Sequence, residues 1–371
     1  MFGIDYKTRQ KEVRSFAEKE IIPVGDSRED LQKNLKKLAQ KGYLGITYPK
    51  EYGGLGETYL TYSIIVEEVS RVCPSTGLTL CAHNSLGTYP LFKFGDEEQK
   101  KKFLPFLCRG EKIGAFGLTE PNAGSDASAI ETRAVKKDGG YMLNGTKRFI
   151  TSGSLAEVFL IAATQDRTLG TKGISIFIVE KGTKGFSIGK EEDKLGVRGS
   201  NTVELIFEDC FVPKENLLGK EGEGYKYFME TLDGGRISIA SFALGIAQGS
   251  LDKIIEFEKK NNTRSQFVYK MLSDVSMQVS AARLLIHKAA FLKDKGERVD
   301  LEACQAKLFA SEVAWRATSE ALRLYGLNGL LTSSPLEKFY RDVKIAEIGE
   351  GTSEIMRIII ARELLKKEVG K

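Results

Sequence analysis

The sequence predicts an α+β multidomain chain with three parts. These are an N-terminal α-helical domain over residues 1–112, a middle antiparallel β-barrel or sandwich over 113–220, and a C-terminal four-helix-bundle domain over 221–371. Three observations carry the prediction. Apolar residues recur at helical spacing up to about residue 112. Short β-branched runs, with no helices between them, fill the next hundred residues. The helical period then returns at about residue 224 and holds to the end.

The elements follow in order. Leu31, Leu35, Leu38 and Tyr43 form a one-sided stripe, and Gly42 is placed to stop that helix. Tyr59 to Val72 reads as a second helix. Asp96 caps a third over Glu97 to Leu107, with Pro105 late in it. Between the first two, Tyr48-Pro49-Lys50-Glu51-Tyr52-Gly53-Gly54-Leu55-Gly56 is a turn-rich connection. Six strands are expected at Ile113–Leu118, Ile130–Val135, Tyr141–Leu143, Val158–Ala163, Ile174–Val179 and Thr202–Phe207. Asn144-Gly145 suggests a hairpin turn. Tyr225 to Asn261 reads as one long helix, weakened at Gly234-Gly235, where two glycines cost roughly 1 kcal/mol each relative to alanine. Leu301, Cys304, Leu308, Trp315, Leu322 and Tyr325 continue the helical period. Leu336 to Ile348 and Thr352 to Lys366 are two further helices.

Composition excludes several function classes. Net charge is only +5, from 55 basic and 50 acidic residues, and no basic block lacks interleaved acids. A nucleic-acid surface is not expected. No apolar run is long enough for a membrane span, and charge throughout Met1 to Glu20 argues against a secretory signal. The five cysteines form no C-x-x-C pair, which favours reduced thiols and a cytoplasmic location. Only His83 and His287 are present, so no metal site is expected and a Ser-His-Asp triad has little room. Chemistry must come from carboxylates, hydroxyls and backbone groups, or from a cofactor.

Four stretches can carry it. Phe116-Gly117-Leu118-Thr119-Glu120-Pro121-Asn122-Ala123-Gly124-Ser125-Asp126 ends a strand in small and hydroxylated residues. Such a loop can grip a polar ring edge or a phosphate, and an ordinary turn has the same composition. Phe149-Ile150-Thr151-Ser152-Gly153 says only that another strand is present. Glu350, between Gly349 and Gly351, can approach a substrate closely, and in a dry pocket its raised pKa would suit a general base. From these residues alone, a plain helix start is the better reading, with Thr352 or Ser353 as N-cap and Glu350 solvated. Asp233-Gly234-Gly235-Arg236 implies a close neighbour or a kink.

Together, and in this order, these stretches resemble the acyl-CoA dehydrogenase family. Further matches are Arg264-Ser265-Gln266-Phe267 and Tyr340-Arg341-Asp342, followed by Glu350-Gly351-Thr352-Ser353-Glu354-Ile355. The resemblance spans essentially the whole chain. It implies an FAD-dependent oxidoreductase that desaturates an acyl-CoA thioester and passes electrons to an electron-transfer flavoprotein, as a homotetramer or homodimer. It assigns Glu350 as the catalytic base. It places Phe116, Leu118, Thr119, Ser125, Phe149, Ile150 and Thr151 around the flavin, with Thr151 at N5 and Ser125 reaching both pyrophosphate and CoA. It puts Asp233 and Arg236 on CoA, Gly351 against substrate, and Thr352 and Glu354 against FAD. Arg264 and Gln266 would reach FAD in a neighbouring subunit.

Some relatives carry the base where Gly235 stands here, which leaves Glu350 as the candidate. The segment after Phe267 and the connection at Pro23-Val24-Gly25-Asp26 are shorter than the family pattern, and Leu327 replaces a glycine. Leu78 to Gly87 holds no Lys or Arg, which argues against dicarboxylic acyl groups. An oxidase of the same fold and a flavin-poor structural relative are the competing readings.

Overall fold

The computed structural model describes residues 6–23 and 27–369. Val24-Gly25-Asp26 of the short N-terminal connection therefore lies outside the described residues. The N-terminal helices are α1 (Tyr6–Glu20), α2 (Arg28–Gln40), α3 (Tyr59–Val72), α4 (Pro74–Cys81), α5 (Tyr89–Phe94) and α6 (Glu97–Cys108). A π-helical turn, Ala82–Thr88, joins α4 to α5. The caps are those the residue types demand. The Ser27 and Thr58 side chains accept from Asp30 N and Thr61 N. Asp96 and Gln99 cap each other reciprocally at the start of α6. Gly42 ends the α2 segment with φ +72°.

The middle part holds β1 (Gly114–Gly117), β2 (Arg133–Lys137), β3 (Gly140–Thr151), β4 (Val158–Thr164), β5 (Ile174–Glu180), β6 (Phe186–Glu191), β7 (Thr202–Pro213) and β8 (Leu217–Leu218). They form one sheet in the order β6-β7-β3-β2-β4-β5-β8, with β1 also on β4. A single pairing, Arg133 with Thr164, joins the two halves. The halves fold over each other: Tyr141 on β3 meets Phe177 on β5, and Phe159 on β4 meets Phe186 on β6. This makes a sandwich core. Alternate residues of β4 and β5 (Leu160, Ile176, Ile178) face outward onto Leu104, Leu107 and Phe228.

The structure corrects the sequence reading in four places. Asn144-Gly145 is not a hairpin turn but lies within β3, and the turn is Asp138-Gly139. Asn144 serves strand pairing instead, since its side chain exchanges hydrogen bonds with Asp209 across β7. The sheet is not wholly antiparallel: β1 and β2 both pair parallel to β4, the long connections leaving room for a crossover. β6 and β8 were not anticipated; β6 is only partly buried, so its apolar signal is weak. Leu336 to Ile348 is two helices, because Asp342 turns inward and accepts from Val197 N.

The C-terminal helices are α7 (Gly224–Asn261), α8 (Gln266–Asp294), α9 (Asp300–Tyr325), α10 (Pro335–Asp342), α11 (Ile345–Ile348) and α12 (Ser353–Val369). Helix α7 runs unbroken through Gly234-Gly235 and packs against α3, α8 and α9. It is buried on most sides along Gly234 to Leu251, which explains its weak amphipathic pattern. Among the described residues no helix is long and apolar enough to cross a membrane, and no cluster of side chains could hold a metal.

Candidate active site

The N-terminal and C-terminal parts meet around Glu350. It lies between α11 and α12 in a left-handed conformation, φ +58°, followed by Gly351 at φ +99°. For a residue with a side chain this conformation costs roughly 1–3 kcal/mol and persists only where the surroundings fix it. Here Thr352 caps α12 through Ile355 N, and the buried ammonium of Lys307 on α9 donates to the Gly351 carbonyl at 2.5 Å. The strained turn is thus held from both sides.

The Glu350 carboxylate points inward. Its Oε2 is sealed from solvent and has no hydrogen-bond partner. Burial raises its pKa to about 7, against the opposing pull of Lys307 and Arg236. A carboxyl with a buried, unused oxygen and a pKa near neutrality is able to accept a proton.

Gly235 on α7 makes room for it. A methyl group there would overlap Oε2 and stand 3.0 Å from Glu350 Cδ and 3.2 Å from Leu86 Cδ2. The glycine that seemed a flaw in a helix is the floor of the site. Its neighbour Gly234 faces Tyr59 and Lys293. The Lys293 ammonium lies 4.9 and 5.0 Å from the ring centres of Tyr59 and Tyr89. Asp233 pairs with Arg236 at 2.6 Å, and burial raises its pKa to about 6. Arg236 is itself buried beside Glu350, and its Nε has no partner.

The second half of the site is the shelf formed by β1 and β3. The π-helical turn connects the halves: Leu86 faces Gly235, while Gly87 packs on the backbone of Gly114. Such turns are frequent at functional sites. Phe116 on β1 meets Phe228 of α7 edge-on. Arg148 N donates to the Thr119 carbonyl, so the ends of β1 and β3 lie side by side. Leu118 and Ile150 are buried beneath. Phe149 has φ +59° and is 55% exposed, an aromatic ring held out of the core. Among the described residues the hydroxyls of Thr119, Ser125 and Thr151 have no side-chain hydrogen bond. Free hydroxyls, an exposed aromatic face and a small-residue loop fit a flavin and its pyrophosphate.

The loop itself is braced from inside. Lys147 on β3 is fully buried and pairs with Glu120 at 2.6 Å. Glu120 also accepts from Thr132 N and Glu131 N. Burial opposes charge on Glu120, but Lys147 and these hydrogen bonds hold its carboxyl below the usual range.

Arg264 and Gln266 stand apart. They are exposed beyond the far end of α7, whose 27 residues from Gly235 to Asn261 span about 40 Å. Only four residues, Asn262 to Ser265, separate α7 from α8, and Arg264 is left-handed at φ +48°. Thr352 and Glu354 occupy the cap and first turn of α12, with Glu354 exposed.

Comparison with known proteins matches this architecture over its length. Models of the acyl-CoA dehydrogenase N-terminal, middle and C-terminal domains match residues 5–111, 115–210 and 222–365. The chain belongs to the acyl-CoA dehydrogenase family. It is an FAD-dependent oxidoreductase of that family. A short-chain specific acyl-CoA dehydrogenase of Clostridium acetobutylicum is 48% identical, covering 97% of this chain and 99% of that protein. Butyryl-CoA dehydrogenase of Megasphaera elsdenii is 41% identical with TM-score 0.93, covering 98% and 100%. A chain in the structure described as the electron transferring flavoprotein of Acidaminococcus fermentans is 45% identical with TM-score 0.95, covering 98% and 99%.

Sequence reasoning missed Lys307, Lys293, Leu86 and the Lys147–Glu120 pair. Lys307 carried a usable signal: it falls on the buried stripe of α9 with Ala303, Ala306 and Ala310. The others depend on contacts between distant segments.

Proposed function

We propose that the protein is a short-chain acyl-CoA dehydrogenase in which Glu350 removes the α-proton of the thioester. The observation that carries this reading is the buried, unpartnered Oε2 of Glu350, where burial pushes the carboxyl pKa up to about 7. The Clostridium and Megasphaera relatives support the short-chain preference. Phe116, Leu118, Thr119, Ser125, Phe149, Ile150 and Thr151 hold FAD, with Thr352 and Glu354 beside it. When bound, FAD would supply the hydride acceptor for the β-carbon and a route for the electrons to an electron-transfer flavoprotein.

The remaining chemistry belongs to this chain. The Glu350 N–H has no acceptor among the described residues and is available to the thioester carbonyl. That donor would stabilise the enolate-like charge as the α-proton leaves. Oε2 takes the pro-R proton, and Gly235 leaves it the space to do so. Gly351 lies against substrate. Asp233 and Arg236 stand where the CoA arm enters, and Arg236 also faces the base.

A homo-oligomer, in the tetrameric or dimeric form of the family, accounts for the far end of the molecule. Phe267, Tyr269, Met277 and Leu284 on α8 are exposed apolar residues, and so are Leu327 and Leu330 after α9. Arg264 and Gln266 are then placed to reach FAD in a neighbour.

The test is an anaerobic titration of the flavin band with butyryl-, hexanoyl-, isobutyryl- and glutaryl-CoA. Bleaching by butyryl-CoA, lost in Glu350→Gln, is the expected result. A protein that takes up no FAD, or a Glu350→Gln variant that bleaches normally, overturns the reading. One relative, 45% identical over 377 residues, is an acryloyl-CoA reductase (NADH) of Anaerotignum propionicum. It favours a second reading, in which the same site runs toward reduction of a 2-enoyl-CoA. Oxidation of the dithionite-reduced enzyme by acryloyl-CoA, faster than the forward step, would select it.

A further inference from the structure

We propose that Lys307 is the positioning residue of this site: it anchors the Glu350 turn through the Gly351 carbonyl and keeps the Glu350 carboxylate ionised before substrate arrives. The inference rests on the Glu350 reading above and adds a residue to it.

Lys307 is fully buried on α9, among Ala303, Cys304, Ala306, Ala310 and Ser311, none of which carries a charge. Its ammonium makes one hydrogen bond, to Gly351 O at 2.5 Å. No carboxylate lies within ion-pair distance of it among the described residues. A buried ammonium with so little compensation is costly. A purely structural anchor for one carbonyl would not need a charge. The charge has a use if the nearby Glu350 must be an anion in a dry pocket.

The other groups facing Glu350 give the same picture. Arg236 comes from α7, already committed to Asp233. Cys304 lies one turn from Lys307 on α9, and Glu347 on α11 also acts on Lys307. Tyr62 on α3 and Cys81 on α4 close the remaining side, both neutral, their pKa values raised by burial. Lys307 is therefore the cation not paired with an acid. Burial lowers its own pKa to about 8, opposed first by Glu350, so it is still charged at neutral pH.

The hydrogen bond and the charge can be separated. Lys307→Gln retains a donor without charge; Lys307→Met removes both at similar length. The measurement is the pH dependence of kcat/KM for flavin bleaching by butyryl-CoA, on protein with confirmed flavin content and melting temperature. Removing the cation should move the acid limb up by about 1 pH unit in both variants. At pH 8.5, above the limb, Lys307→Gln should keep kcat within about threefold of the parent, while Lys307→Met falls at least about tenfold as the turn loses its anchor. If Lys307→Met does not fold, the limb of Lys307→Gln decides alone. Loaded variants with an unmoved limb overturn the proposal, even where kcat drops, because a structural role lowers the rate without moving the pKa. Glu350→Gln, run in parallel, keeps the two readings apart. If it bleaches normally, the base assignment fails. If it is inert while the Lys307 limbs stay in place, only Lys307 fails.

Discussion

The carboxylate of Glu350 occupies the space that a side chain at Gly235 would need. The two residues are 115 positions apart in sequence, one inside α7 and the other in the turn between α11 and α12, yet the identity of one sets the freedom of the other.

Gly235→Ala should therefore separate stability from catalysis. Alanine is favoured over glycine inside a helix by about 1 kcal/mol, which offsets part of the local crowding. The carboxylate must move, and a misplacement of about 1 Å can cost on the order of a hundredfold in rate. We expect flavin bleaching by butyryl-CoA to slow at least tenfold, with circular dichroism unchanged. A variant that bleaches at the parental rate would show that Oε2 works from elsewhere.

The pH profile of the parent enzyme follows from the Glu350 pKa of about 7. The base must be deprotonated to act. The kcat/KM for bleaching should rise tenfold per unit below that value and level off above it. The direction is opposite to that of a group acting as an acid, so a profile falling through pH 7 would contradict the assignment.

The Lys147–Glu120 pair should prove structural, with a functional side effect. Removing one partner leaves a buried charge unpaired, a loss of roughly 3 kcal/mol or more. Lys147→Met is expected to lower the melting temperature and to speed FAD release, because Glu120 holds the loop through Thr132 N and Glu131 N. Lys147→Met with Glu120→Leu should recover much of the melting temperature but not the FAD retention. Thermal melts and flavin fluorescence after dilution check both.

His83 should make the fold sensitive to mild acid. Its Nδ1 accepts from Gly114 N, and its Nε2 lies 3.2 and 3.1 Å from the carbonyls of Leu44 and Leu107. Burial lowers its pKa to about 4. An unfolded histidine takes up a proton near pH 6.5, whereas the folded one does not until about pH 4. The stability it contributes is complete above pH 6.5 and lost as pH falls toward 4, about 3 kcal/mol across the window. Urea midpoints of parent and His83→Gln should converge as pH falls. A constant difference between them would refute this.

Much of the site was legible because its residues are local in sequence. Glu350 between two glycines, the 116–126 loop and the 149–151 segment are each short and local, and it is their combined order along the chain that singled them out. Fold class was legible for a related reason: periodicity changes twice along the chain, and each change marks a change of layer. What stayed hidden was pairwise. Asn144-Gly145 has turn chemistry, but Asp209 on a distant strand claims the Asn side chain. Arg236 is buried beside Glu350, a contact between segments more than a hundred residues apart. Lys307 sits in a helix where a lysine normally marks a solvent face, and only the position of Gly351 reveals its partner.

The π-helical turn at Ala82–Thr88 bears on how such a site can diversify. A turn of this kind carries one residue more than the α-helical period asks for. That surplus lets two successive residues serve different masters, Leu86 at the base and Gly87 at β1. Deleting one residue would restore the regular period and change which side chain the turn presents at Gly235. Insertion and deletion, rather than substitution, are then the genetic events that would re-aim this wall, and a library of single-residue deletions across 82–88 samples shapes that no point mutation reaches.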